Sequence, residues 1–333
     1  MQRVIKIYEY EGINISEIPV ELLNKLSRIN RVKIEGKKLI PIGITGYMKF
    51  NDYEVIILPK IKNEDYFYML NILGIYEFSE EKLEMTDVLY NIVKHYGETL
   101  LEVSKRIGPP LEYTSEKIEE AIVKGKINIG ESINLPKLKQ TRWIMGFGKI
   151  SGVLIGAMIH AYRVFKTEEL FYILSKLKII FSEAKPIFKP QYQLTPPDEY
   201  ASLFRLANFI LDTRFMVLPN GLFIDNFKLF EQFIYKILYK NYFTIYQQEV
   251  KLDKINIRPD FMINGIPVDA KYKFSIENPD IYQAFTYASV FGKNLCILIY
   301  PYLEYEININ NIKIKAISIF QNIDKNDLLG ILA

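Results

Sequence analysis

A single cysteine and two histidines stand among 333 residues, and their scarcity removes whole classes of chemistry. Cys296, inside the apolar run "NLCILIYP", has no second cysteine to meet, so neither a disulfide framework nor a cysteine-based zinc site is available. His95 and His160 lie far apart in sequence without companion ligands. Each reads as a helix-surface or core residue, and no Ser/His/Asp or Cys/His nucleophile set is supported. Long apolar runs are missing too. The longest, "ISGVLIGAMIHAYRVF", is broken by His160 and Arg163 and is too short to span a bilayer. The opening "MQRVIKIYEYEG" lacks the apolar core of a signal peptide. A cytoplasmic protein with no membrane partner is therefore expected. A strong charge of one sign is absent as well: the net +3 permits a polyanion partner without demanding one. A phosphate loop is only hinted at by "MGFGKISG". Trp143 stands where that loop needs its first glycine, and Ile150 where it needs Ser or Thr, so nucleotide hydrolysis by this chain is excluded. The basic stretches "KIEGKK" and "KLKQTR" read as solvated faces.

What is present suffices for a folded chain of two domains, with 49% hydrophobic and 24% charged residues and no repeat or low-complexity tract. Residues 1–148 are expected to form a β-rich and helical N-terminal domain. Short β-branched runs separated by turn signals fill the first sixty residues. Helices are expected over "ISEIPVELLNKLSRI", with Ser16 as cap, over "NEDYFYMLNILGIY", closed by Gly74, and over "EKLEMTDVLYNIVKHYGETLLEVSKRIG", closed by Gly108. "EYTSEKIEEAIVKGKINIGESINL" reads as a helix followed by a short β segment. Residues 149–333 open with helical stretches around 151–182 and 198–214, joined by the proline-rich connector "EAKPIFKPQYQLTPPDEY". Then come an amphipathic helix ("GLFIDNFKLFEQFIYKILYKNY"), a strand ("FTIYQQEVKL"), a hairpin, a helix ("NPDIYQAFTYASVFG") and a strand ("NLCILIYPYL"). That order argues for a mixed α/β sheet domain with a helical lead-in.

The hairpin "IRPDFMINGIPVDAKYKF" carries the chemistry. Asn264-Gly265 between two β-like runs is a strong two-residue turn signal, since both central positions need positive φ. With that turn, Ile263 faces Ile266, Met262 faces Pro267, Phe261 faces Val268 and Asp260 faces Asp269 in a non-hydrogen-bonded pair. Period two sets Lys271 on the same face as Asp269. Two carboxylates and an ammonium thus converge. A solvated hairpin face, an acid/base carboxylate dyad of the glycosidase kind and a divalent-metal site all fit this pattern. Two hard oxygen ligands suit Mg²⁺, and the lysine favours that third reading because it can orient or help deprotonate a water and balance phosphate charge.

Pro259-Asp260 followed by Asp269-Ala270-Lys271 resembles the PD-(D/E)xK nuclease superfamily, whose α/β core has the same element order. "GLFIDNFKLFEQF", "RPDFMI", "VDAKYK" and "DIYQAFTYA" together resemble the McrC family, the nuclease subunit of McrBC-type restriction systems directed at modified cytosine. Gln283 and Tyr287 have the Q-x-x-x-Y spacing of the RecB-like branch. In the N-terminal half, "ITGYMKFNDYEVIILPKI" and "EEAIVKGKINIGESI" are similar to family segments, with Lys124 and Lys126 where arginines are usual. The resemblance implies a restriction-endonuclease-like C-terminal domain that cleaves DNA with Mg²⁺ (or Mn²⁺) held by Asp260, Asp269 and the Ala270 carbonyl. Lys271 would position the attacking water, Glu231 on the preceding helix would complete the metal site, and Gln283 and Tyr287 would position DNA. Tyr272 and Lys273 could reach phosphates, although they read first as ordinary exposed positions. It also implies a McrB-like AAA+ GTPase ring as partner, docked by the N-terminal domain, which would stimulate GTP hydrolysis. Two other expectations stand beside it: a chiefly regulatory, GTPase-stimulating subunit, and a stand-alone RecB-like nuclease.

Overall fold

The computed structural model describes residues 3–29, 31–75, 85–120, 123, 125–132, 138–212, 221–252 and 255–321. The chain is mixed α/β, and by contacts it divides into two units interleaved in sequence. One comprises Met1–Ile5, Gly46–Val55 and Lys82–Phe223, the other Lys6–Thr45, Ile56–Glu81 and Ile224–Ala333. This is a different division from the sequential one at residue 148, because residues 6–45 group with residues 224 onward.

The first unit is built on the helices Met85–Ile107, Lys149–Phe165, Glu168–Ile180 and Ala201–Asp212. The stretch 151–182 is thus two helices: Lys166 takes a left-handed conformation and the Thr167 side chain caps the second one. "EYTSEKIEE" is a strand, Glu112–Glu120, and not the expected helix. Its Glu and Lys residues favour a helix locally. Antiparallel pairing along all nine residues with Leu138–Gly146 overrides that preference.

In the second unit, the helix Asn63–Ile72 ends at Gly74 as expected, with Gly74 at φ +69°. Ser16 is not a helix cap. It sits in the 3₁₀ turn Ile15–Glu17, and the helix Val20–Leu26 begins after Pro19, whose fixed φ suits a helix start. The segment "GLFID" is a strand, Gly221–Asp225, and helix α1 (Asn226–Asn241) starts only where the Asp225 carboxylate accepts from the Phe227 and Lys228 amides. Then follow β1 (Thr244–Tyr246), β2 (Val250–Leu252), β3 (Ile255–Ile257), β4 (Phe261–Ile263), β5 (Ile266–Ala270), α2 (Asn278–Val290), β6 (Leu295–Tyr300), β7 (Tyr305–Ile309) and β8 (Ile312–Ser318). Six of the strands form one sheet in the order β1-β4-β5-β6-β8-β7, while β2 and β3 pair as a separate ribbon. The β5–β6 and β6–β8 pairs are parallel and the others antiparallel.

Alternation along the strands sorts the two faces of this sheet. Leu298, Cys296, Tyr300, Ile314 and Ala316 pack with Ala284, Tyr287 and Ala288 of α2. On the opposite face Phe261 stacks on Tyr235 of α1, with centroids 6.1 Å apart. Phe230 and Phe233 of α1 add a cluster with Tyr272 and Phe320. Burying such rings, worth about 25 cal/mol per Å² of apolar surface, helps to hold the end of β5.

Candidate active site

The Asn264-Gly265 turn forms as the sequence predicts, with φ of +50° and +79°. The register follows: Phe261 opposes Val268, Met262 opposes Pro267 and Ile263 opposes Ile266. One step further out, Asp260 meets the end of β5, where its Oδ2 accepts from the Ala270 amide at 2.8 Å. Asp269 lies opposite Leu298, on the α2 face, and is buried. Asp260 therefore titrates abnormally. Burial and then the Asp269 charge push its carboxyl up to about 7, Glu231 adds to the rise, and the Ala270 amide and Lys271 oppose it.

Lys271 is ion-paired with Asp269, and its side chain is only 13% exposed. Its Nζ also donates to Gln283 Oε1 at 2.6 Å. Gln283 Nε2 in turn donates to the Tyr287 hydroxyl at 2.6 Å, and that hydroxyl donates to the Arg258 carbonyl at 3.1 Å. A continuous polar chain thus runs from Asp269 through Lys271, Gln283 and Tyr287 to the backbone just ahead of Asp260. The i, i+4 spacing on α2 is what lets Gln283 and Tyr287 touch.

Other expected residues are placed differently. The Glu231 carboxylate is engaged by the Tyr246 hydroxyl at 2.8 Å and by Gln247 Nε2 at 3.0 Å. Among the described residues, no three His, Cys, Asp or Glu side chains are grouped to hold a metal ion. The two aspartates with the neighbouring backbone are hard oxygen donors, a set that suits Mg²⁺, which keeps several waters. Tyr272 does not reach outward to phosphates. It is buried, because period two turns it to the aromatic face, and its hydroxyl donates to Glu9. Lys273 is held by Glu277 at 3.0 Å and Asp280 at 2.8 Å. His95 is exposed on its helix and His160 is buried. The glycine-rich "MGFGKISG" is no anion site: the Glu112 carboxylate accepts from the Ile150 amide at 2.7 Å, at the start of that helix.

Sequence reading missed the layer beneath the site. Glu9 is fully buried and accepts from the Lys60 amide at 2.7 Å, Asn226 Nδ2 at 3.0 Å and the Tyr272 hydroxyl. Asn226 also donates to Thr45 Oγ1 at 2.7 Å and accepts from the Tyr66 hydroxyl at 3.0 Å. The Tyr10 hydroxyl donates to the Tyr272 carbonyl at 3.0 Å. The residue after Lys271 is thus pinned at its ring, hydroxyl and carbonyl. No local motif marks Glu9 or Asn226, whose partners lie up to 263 positions away.

The fold and site define a mixed α/β protein whose C-terminal sheet presents a carboxylate pair and a lysine at the end of one hairpin. Residues 161–301, which include every candidate site residue, match the family model of the McrBC 5-methylcytosine restriction system component. The resemblance to the McrC family seen in the sequence is borne out over that segment. The fold agrees as well. It is similar, at TM-score 0.60 and 17% identity, to a chain of the refined half-complex from the tetradecameric assembly of Thermococcus gammatolerans McrB AAA+ hexamers with bound McrC. That similarity covers 98% of this chain and 96% of the other. A chain of the cryo-EM structure of the Thermococcus gammatolerans McrBC complex is similar over 72% of this chain and 88% of its own, at TM-score 0.47 and 18% identity. No curated protein matches the chain. Among the described residues, no helix is long and apolar enough to cross a membrane.

Proposed function

We propose that the chain is the DNA-cleaving subunit of a McrBC-type restriction system, a Mg²⁺-dependent endonuclease of the PD-(D/E)xK kind working in the cytoplasm. The observation that carries this reading is the convergence of Asp260, Asp269 and Lys271 at one hairpin end. Asp260 and Asp269 would hold Mg²⁺ or Mn²⁺, with the Ala270 carbonyl as a further oxygen donor. A divalent cation supplies Lewis-acid polarisation of the phosphodiester and makes water acidic enough to attack. Its charge would also relieve the repulsion that lifts the Asp260 carboxyl to about 7. Lys271 orients the attacking water and balances the negative charge that develops on the phosphoryl oxygens. Gln283 fixes the Lys271 ammonium, and Tyr287 fixes Gln283. Glu231, held at one carboxylate oxygen by Tyr246 and Gln247 and close enough to act on the Asp260 charge, would complete the metal site with its other oxygen.

The partner is a McrB-like AAA+ GTPase ring, docked and stimulated through the N-terminal part of the chain, residues 1–148. Its support is the fold shared along the chain with a component of an assembly of McrB hexamers with bound McrC. Cleavage of modified DNA and GTP turnover, followed separately in the mixture of both proteins, test the reading. Asp260→Asn, Asp269→Asn and Lys271→Ala are each expected to abolish cleavage and leave GTPase stimulation intact. Cleavage surviving Asp269→Asn refutes the site, while cleavage at full rate by the chain alone refutes the partner.

A further inference from the structure

A cavity of about 540 Å³ lies between the β2–β3 ribbon and α2. Its volume falls within the roughly 300–1,000 Å³ of sites that enclose small ligands. Two of its walls belong to the polar chain of the candidate active site. Gln283 lines it while holding the Lys271 ammonium, and Tyr287 lines it while holding the Arg258 carbonyl. Arg258, two residues before Asp260, also lines the cavity.

The remaining polar walls are unspent. In the ribbon Val250 opposes Ile257, so Glu249 and Arg258 are neighbours one step beyond the ladder. They line the same cavity without forming an ion pair among the described residues. Among the described residues, neither they nor Asn256 makes a side-chain hydrogen bond there. This open depression thus brings together the Arg258 guanidinium, the Glu249 carboxylate, the Asn256 and Gln283 amides and the edge of buried Tyr287. An inorganic anion would meet Arg258 but be repelled by Glu249. A nucleotide matches both: its phosphate meets the guanidinium, and an exocyclic amino group on its base donates to the carboxylate.

On the strength of the nuclease reading above, we propose that this cavity seats the nucleotide adjoining the cleaved phosphodiester. Its base is turned out of the stack to rest on the edge of Tyr287, with Arg258 on its phosphate and Glu249 on its base edge. Unstacking removes the base from its neighbours and exposes the hydrogen-bonding edge that a duplex hides. Because Gln283 is shared, filling the cavity also steadies the amide that aims Lys271. The carboxylate favours cytosine, adenine or guanine, whose exocyclic amino groups donate, over thymine, which has none.

The test uses the full chain with its GTPase partner and Mg²⁺, and oligonucleotide substrates carrying an abasic residue at each position flanking the cut. For the wild type, one abasic position is expected to slow cleavage about tenfold, the size of one good base contact. Placing thymine there is expected to slow it by several-fold. Glu249→Ala and Arg258→Ala, both exposed side chains, are expected to keep the melting temperature and lose that sensitivity. Glu249→Gln, which retains an acceptor, should restore the preference in part. If intact DNA is cleaved but no flanking abasic position matters, or the sensitivity persists in both alanine variants, the nucleotide seat is overturned and the nuclease reading stands. If intact DNA is not cleaved at all, both fall together.

Discussion

Replacing Glu9 by Gln probes the layer beneath the site, and its effect can be sized from the structure. Burial, opposed by the Lys60 amide, Tyr272 and Asn226, raises the Glu9 carboxyl from 4.5 to about 7. The folded state therefore binds this proton more tightly than the unfolded chain. The resulting stability is fully present below pH 4.5 and is lost as pH rises through about 7. A difference of about 2.5 units at 1.36 kcal/mol each amounts to about 3 kcal/mol, most of it regained by pH 5. Asp260, pushed to about 7, contributes in the same direction and over the same window. Urea unfolding without divalent cations, repeated between pH 8 and pH 5, should show the wild type gaining several kcal/mol on acidification. Glu9→Gln, an uncharged isostere, should lose roughly half of that slope. A wild type that loses stability on acidification over this range would refute the argument. So would a Glu9→Gln variant whose slope matches the wild type.

Three further outcomes follow from single contacts. Asn264→Ala places a β-carbon without a locally bonding side chain at φ +50°, and is expected to cost about 1 kcal/mol and to lower cleavage by loosening Asp260 against Asp269. Tyr287→Phe removes the hydroxyl between Gln283 and Arg258. Melting should show a loss of about 1 kcal/mol, while single-turnover cleavage should fall more steeply than that figure explains. Gly43→Ala combines φ +61° with a β-carbon 1.9 Å from the Phe227 ring, so chemical denaturation should reveal a loss of about 3 kcal/mol or more.

The parts of this protein legible in its sequence are those whose causes are local. Asn264-Gly265 fixed the hairpin register because two positive-φ residues leave the chain few alternatives, and period two then fixed the faces of Asp260, Asp269 and Lys271. Gly74 and Gly108 ended their helices for the same kind of reason, at φ +69° and +81°. The strand Glu112–Glu120 was not legible, because its identity comes from a partner strand and not from its own Glu- and Lys-rich composition. The strands β7 and β8 went unread, although Asn310-Asn311, at φ +47° and +66°, forms a tight turn of the same kind as the Asn264-Gly265 turn. Glu9 was invisible for a further reason. A glutamate in "YEYEG" is usually solvated, and only the folded chain brings Lys60, Asn226 and Tyr272 to Glu9.

Two carboxyls raised to the same value, Glu9 and Asp260, should respond oppositely to a divalent cation, and that contrast separates structure from chemistry. Glu9 is sealed behind Tyr272 and has its hydrogen bonds filled by protein donors, so added Mg²⁺ cannot reach it. Asp260 is only partly buried and faces a second carboxylate. A ligand that binds only the folded state stabilises it by about 2.7 kcal/mol at one hundred times its Kd. With Mg²⁺ as that ligand, the gain in melting temperature should be largest at pH 8 and shrink as pH falls through about 7, because protons compete for Asp260. Asp260→Asn and Asp269→Asn should abolish the gain, whereas Glu9→Gln should leave it whole. A Mg²⁺ effect that survives Asp260→Asn, or that does not weaken on acidification, would place the cation elsewhere and leave the paired aspartates as a purely structural feature of the hairpin.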